Sequence, residues 1–187
     1  MSEALWTHLS SQLLPAAYGR EEPPARGQAA VLVAITCEAG EPSLILTRRA
    51  AHLQHHPGEI AFAGGMWESE DRNLAQTALR EAFEEIGLAP DVVRLLGRMP
   101  AFQTKRGVNV TPVVGLVTEP VQLAPDPAEL DLIFQVPLSQ LRPECAVRRD
   151  SFQRGETRVS VPVFESQGQT IWGLTAAIIA YLTSLIC

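Results

Sequence analysis

The sequence predicts an α/β sandwich, a mixed β-sheet held between helices. Two observations lead there: short apolar runs of strand length recur along the chain between turn residues, and only a few segments carry a helical period. Residues 2–14 read as a short amphipathic helix, and residues 19–27, rich in Pro, Glu and Arg, as a linker. Strands are expected at 29–37 and 44–48, separated by the turn-like Ala39-Gly40-Glu41-Pro42. A short strand at 59–63 leads into Gly64-Gly65, and a helix follows over about 73–86 with Gly87 as its C-terminal cap. Further strands are expected near 92–99, 109–117, 131–136, 146–152 and 158–164, then a final helix from about Thr175. The apolar stretch 171–187 contains Gly173, two threonines and Ser184, and is shorter than the ~20 residues of a spanning helix, so it reads as a buried terminal helix.

Composition bounds the function. With 187 residues, 46% hydrophobic and 19% charged, one domain with a full core is expected over 1–187. Its core would span about 28–187, with the helix and linker in 1–27. A net charge of −6 supplies no basic footprint for nucleic acid, and nothing indicates a membrane partner. The three cysteines, Cys37, Cys145 and Cys187, are odd in number and lack C-x-x-C spacing, which argues against a disulfide framework or a zinc site. No charged-then-apolar export signal opens the chain, so a cytoplasmic location is expected.

The chemistry gathers on the helix at 73–86. Its residues Ala75, Ala78, Leu79, Ala82, Phe83 and Ile86 fall in an arc of about 140°, a core-facing stripe. Glu81, Glu84 and Glu85 fall within about 100° of one another, with Arg80 beside Glu84, and are expected on the opposite, displayed face. Like charges at this spacing cost an isolated helix roughly 0.2 to 0.5 kcal/mol per pair. A cation relieves that repulsion, and clustered oxygen ligands suit a hard divalent ion such as Mg²⁺ or Mn²⁺ far better than zinc. Ahead of the helix stands G-E-I-A-F-A-G-G, ending at Gly64-Gly65.

The stretch from Gly64 to Leu88 resembles the Nudix box, G-x5-E-x7-R-E-U-x-E-E-x-G-U with U apolar. The second half matches at Arg80, Glu81, Ala82, Glu84, Glu85, Gly87 and Leu88. The first half departs: Arg80 lies sixteen positions after Gly64 where fourteen are usual, and Arg72 stands where the pattern wants glutamate. A two-residue insertion accounts for this, with Glu68, Glu70 and Asp71 as candidate acids. Ile45-Leu46-Thr47-Arg48-Arg49, Gly58 and Phe62-Ala63-Gly64-Gly65 are similar to the marker of coenzyme A pyrophosphatases within that superfamily. It departs at Ala50 for Ser, Gln54 for Arg and Ala63 for Pro, and Gln54 removes a charge suited to a substrate phosphate. Residues 110–115, 134–138 and 171–176 are also similar to that subfamily.

The resemblance implies a Nudix-type α/β/α sandwich with a mixed sheet and attack by water on a diphosphate bridge. It implies a Mg²⁺- or Mn²⁺-dependent hydrolase cutting coenzyme A, or a derivative, to an adenosine bisphosphate and phosphopantetheine. Other readings are another nucleoside diphosphate derivative such as ADP-ribose, or a non-catalytic nucleotide-binding protein of the same fold. The three box glutamates favour catalysis. Glu81 and Glu85 are expected as principal metal ligands, Glu84 as a third ligand or a base acting through water, and Arg80 as the group that fixes their rotamers. Gly64 and Gly65 let the backbone approach the phosphates, while Arg48 and Arg49 offset the substrate's charge. Glu129 stands where such enzymes often place a loop glutamate at the metal. His52, His55 and His56 are expected in structural or surface roles, and Thr104-Lys105-Arg106-Gly107 forms a basic loop. A homodimer is compatible with this reading.

Overall fold

The computed structural model describes residues 3–16, 27–38, 40–154 and 157–186. The linker at 19–26 and Cys187 lie outside them.

The order of elements is α1 (Glu3–Gln12), β1 (Gln28–Glu38), β2 (Glu41–Arg49), β3 (Ile60–Ala61), β4 (Gly64–Met66), α2 (Leu74–Ile86), β5 (Val93–Arg98), β6 (Phe102–Gln103), β7 (Asn109–Val117), β8 (Leu130–Pro137), β9 (Arg148–Arg154), β10 (Thr157–Ser166), β11 (Gln169–Ile171) and α3 (Gly173–Ile186). The mixed sheet runs β3-β2-β1-β7-β5, with β8 also on β2, β4 on β1 and β6 on β7, while β9, β10 and β11 form a separate antiparallel sheet. Central β1 lies parallel to β7 from Gln28↔Asn109 to Ile35↔Leu116, and antiparallel to β2 at Ile35↔Leu44 through Glu38↔Glu41.

Strand alternation sorts the apolar side chains into two cores, one on each face of the sheet. Val33 and Ile35 of β1, Leu44 and Leu46 of β2, and Phe134 and Val136 of β8 join Trp6 and Leu9 of α1 and Ile178, Ile179 and Leu182 of α3. Ala30, Leu32 and Ala34 of β1, with Ile45 and Val113, join Leu74, Ala75, Ala78, Ala82 and Ile86 of α2. Helices therefore cover both faces, as the α/β sandwich reading requires. No helix is long and apolar enough to cross a membrane among the described residues.

A fork in the sheet positions the site. One edge of β2 carries β8 along Ser43–Arg49, so β1 and β3 share the other, with β1 paired at Leu44 and β3 at Thr47 and Arg48. β1 thus leaves β2, and the segment from β3 to β4 fills the gap, bonding first to β2 and then, at Val31↔Gly64 through Ala29↔Met66, to β1. The strand expected at 59–63 is present but shorter, as the two-residue β3, and the glycine pair that follows it opens a further short strand, β4. Likewise Glu41 and Pro42, expected in the turn, extend β2. The short β6 and β11 carry no alternation long enough to read from sequence. At the far edge, Leu14 and Arg98 exchange backbone hydrogen bonds of 3.0 and 2.8 Å, so the chain after α1 covers part of β5.

Candidate active site

Helix α2 is closed at both ends by its own sequence. The Asn73 side chain accepts from the Gln76 N–H at 2.9 Å, and the Gln76 side chain accepts from the Arg72 N–H at 3.0 Å. At the C-terminus Gly87 takes φ 69°, with its N–H on the Phe83 carbonyl at 3.0 Å and the Leu88 N–H on Ala82 at 3.2 Å.

Its glutamates form a gradient of burial rather than one displayed face. Measured from the alanine stripe, Glu85 stands about 60° round the helix, Glu81 about 100° and Glu84 about 160°. Glu85 is only 5% exposed, the Glu81 side chain 16% and the Glu84 side chain 55%. The expected pattern is corrected on both flanks: Glu85 is buried, and Phe83, expected in the core, is 55% exposed. Strand β4 covers the Glu85 side of the stripe and leaves the Phe83 side open.

The glycines make that approach feasible. The Gly64 N–H donates to Glu85 Oε2 at 3.1 Å. A Cβ on Gly64 would strike the Ala30 carbonyl oxygen and Val31, and one on Gly65 would strike the Glu81 carboxylate. Lacking side chains, Gly64 can lie close against β1 and Gly65 close against the Glu81 carboxylate.

Arg80 is the hub of the acidic cluster. Its Nε and Nη2 grip Asp71 through both carboxylate oxygens, at 3.2 and 3.0 Å. Its Nη1 reaches Glu81 at 2.9 Å and Glu84 at 3.0 Å, and its Nη2 also donates to the Met66 carbonyl at 3.2 Å. Burial works against the Asp71 carboxylate, but hydrogen bonds from Arg80, Thr77 and the Glu68 N–H outweigh it and hold its pKa below the ordinary value. In turn the Asp71 hydrogen bond, opposed by burial and helped by Glu81, keeps Arg80 firmly protonated.

A turn at 126–130 brings Glu129 within electrostatic reach of the cluster. Its charge acts on both Glu81 and Glu85. The Glu129 carbonyl accepts from the Ala50 N–H at 2.8 Å, and the Asp126 N–H donates to the Glu85 carbonyl at 2.8 Å. Of the two arginines expected at the substrate, Arg49 acts electrostatically on Glu85, whereas Arg48 is held by Asp131 at 2.7 Å and Gln169 at 3.3 Å. His56 pairs with Glu59 at 2.8 Å, His52 Nε2 lies 3.2 Å from the Ala128 carbonyl oxygen, and His55 is exposed. The basic loop closes on itself through the Gly107 N–H and the Thr104 carbonyl at 3.0 Å.

Electrostatically the cluster is short of positive charge. Burial, then Glu129 and Glu81, push the Glu85 pKa up to about 8, with the Gly64 N–H and Arg49 compensating only in part. Burial also raises Glu81, and Glu84 and Glu129 add to that against the pull of Arg80. A buried carboxylate with two like charges beside it either keeps a proton or takes a cation. Among the described residues no three acid, imidazole or thiolate side chains already converge as a closed ligand set, and Arg80 occupies part of the Glu81 carboxylate. The donor set fits a hard ion that keeps several waters and uses a few carboxylates, as Mg²⁺ and Mn²⁺ do.

The NUDIX domain model matches residues 26–154. This chain is a Nudix hydrolase. It is 41% identical over 155 residues to the protein named "Uncharacterized Nudix hydrolase NudL" of Pectobacterium atrosepticum, covering 83% of this chain and 80% of that one. A protein of the same name from Yersinia pestis is 38% identical over 159 residues, covering 85% and 79%. The fold is similar to that of a C. elegans Ap4A hydrolase (TM-score 0.51, 18% identity, 59% of this chain and 80% of that one). It is also similar to a MutT/nudix family protein of Enterococcus faecalis (TM-score 0.50, 18% identity, 96% and 67%).

In this Nudix hydrolase the irregular half of the box has a structural explanation. Asp71, 2% exposed, is the acid that meets the box arginine, while Glu70 faces solvent and accepts from Ser69 at 2.9 Å. Asp71 lies seven positions after Gly64 and nine before Arg80, so each side of the gap is one residue longer than usual. Spacing from the glycine points to Glu70. What selects Asp71 is the local turn: the Trp67 indole N–H donates to its carbonyl at 2.9 Å and the Glu68 N–H to its carboxylate at 3.3 Å.

Proposed function

We propose that this Nudix hydrolase cleaves the diphosphate bond of coenzyme A or a coenzyme A derivative, yielding an adenosine bisphosphate and phosphopantetheine, with Mg²⁺ or Mn²⁺ held by Glu81 and Glu85. The observation that carries the chemistry is Glu85: a carboxylate 5% exposed, hydrogen-bonded to the Gly64 N–H and crowded by Glu81 and Glu129. The substrate assignment draws on the marker residues at 45–49, Gly58 and 62–65.

A bound divalent ion supplies positive charge to the diphosphate oxygens and lowers the pKa of nearby water. Glu81 and Glu85 would hold it, with Glu129 completing the oxygen set from the opposite loop. Glu84, the most exposed of the three helix acids, serves as a further ligand or as the base that takes a proton from the attacking water. Water adds to one phosphorus, the bridging P–O bond breaks, and the other phosphate leaves with the bond's electron pair. Arg80 and Asp71 keep Glu81 and Glu84 in fixed rotamers, so little reorganisation accompanies the reaction. Gly64 and Gly65 leave room for phosphate against the backbone, and Arg49 offsets part of the substrate's charge.

The test is incubation of the purified protein with Mg²⁺ or Mn²⁺ and a panel of coenzyme A, ADP-ribose, NADH and diadenosine polyphosphates, with chromatographic separation of products. Adenosine bisphosphate and phosphopantetheine from coenzyme A, faster than turnover of the others, is the expected result. Preferential cleavage of ADP-ribose would overturn the substrate and leave the chemistry. No cleavage of any of them would overturn the coenzyme A assignment and place the substrate outside this panel.

A further inference from the structure

We infer that Asp126 is the positioning residue that seats Glu129 toward Glu81 and Glu85, so that the two halves of the metal site are registered by one residue outside the box.

Asp126 spends every polar group it has on this junction. Its N–H donates to the carbonyl of Glu85, the residue whose side chain is the buried acid of the site, at 2.8 Å. Its own carbonyl accepts from the Glu129 and Leu130 N–H groups at 3.0 and 2.8 Å. Its carboxylate accepts from the Ala128 N–H at 2.9 Å, closing an Asx turn. One residue is therefore bonded to the helix that carries Glu85 and, from the other side, to the backbone of Glu129. The flanking prolines, Pro125 and Pro127, fix φ on both sides and stiffen the pivot. The segment before it is tied down as well, with the Ala124 N–H on the Ile86 carbonyl at 3.2 Å. Beyond it the Glu129 carbonyl is held by Ala50. The backbone bonds survive substitution; the Asx turn survives only where an Asp or Asn oxygen remains, and it sets the direction in which Glu129 leaves the turn.

This rests on the reading of Glu129 as a metal ligand, so the experiment separates the two. Mn²⁺ affinity is measured by electron paramagnetic resonance on the full chain, with circular dichroism to verify folding, for D126N, D126E, D126A, E129Q and D126A/E129Q. Asn keeps the side-chain oxygen that closes the turn and loses the charge, whereas Glu keeps the charge and is too long to close the turn. The expected result is near-normal affinity in D126N, and affinity lowered about tenfold in D126E and D126A. D126A/E129Q should bind no more weakly than E129Q alone. Weak binding by D126N with normal binding by D126E would show that the charge matters and not the turn, and would overturn the inference. So would a loss in the double variant equal to the two single losses combined. Normal affinity in E129Q would remove Glu129 from the site and the inference with it. Should D126A fail to fold, D126N and D126E still decide.

Discussion

At the scale of single residues, the feature with most consequence is a glutamate buried next to two others. Glu85→Gln keeps the volume and the contact with the Gly64 N–H but removes the charge of the proposed metal ligand. The expected outcome is an unchanged circular dichroism spectrum with turnover reduced at least tenfold; near-normal turnover would remove Glu85 from the mechanism. Its pKa carries a second prediction. In metal-free protein it is raised to about 8, above the ordinary glutamate value of about 4.3. The native state therefore binds a proton that the unfolded state has released, and stability declines as pH rises across that interval. Thermal melts in EDTA should lose Tm between about pH 4.5 and 8, and the slope should flatten in the Gln variant. Asp71 has the opposite sign, since its lowered pKa contributes stability that is lost on acidification through that value. Asp71→Asn should cost about 1.5–3 kcal/mol in urea denaturation, the range for hydrogen bonds to a charged partner, and lower turnover several-fold by loosening Arg80.

At the scale of elements, the site is a contact between one helix and one short strand. Gly64→Ala places a methyl against the Ala30 carbonyl and Val31, which are sheet backbone and core. A loss of about 1–3 kcal/mol is expected, as for overpacking. Gly65→Ala places it against the Glu81 carboxylate, the movable end of a side chain. Its expected signature is the reverse: a small change in denaturation midpoint and a large fall in kcat. Equal effects of the two on stability would contradict this division. The helix itself was legible in the chain because its alanine stripe, Asn73 and Gly87 all point to the same boundaries. Its orientation was not. A helical wheel treats the flanks of the stripe alike, and only β4, arriving from the fork between β1 and β2, distinguishes Glu85 from Phe83. The further strand at Gly64–Met66 escaped for a related reason: the pairing switches from β2 to β1 between β3 and β4 within a few residues, which leaves no period to read.

At the scale of the whole molecule, the fork in the sheet joins fold to chemistry. By parting β1 from β2 it admits the glycine strand, which lies across α2 and buries one acid while leaving the next two progressively wetter. The layered architecture was legible from strand lengths and the placing of few helices, and the acids of α2 from the run R-E-A-F-E-E. Asp71 was legible only as one of three acids, because the local turn and not the spacing chooses among them. Asp126 left no trace in sequence, since its part depends on two backbones meeting in space. The measurement that bears most directly on the central claim is an anomalous difference map from crystals soaked in MnCl₂. A peak ligated by Glu85 and Glu81, with Glu129 facing it, is the predicted result. Glu85 still buried on the Gly64 N–H with no manganese beside it would contradict the claim that this helix edge is built to hold a divalent cation.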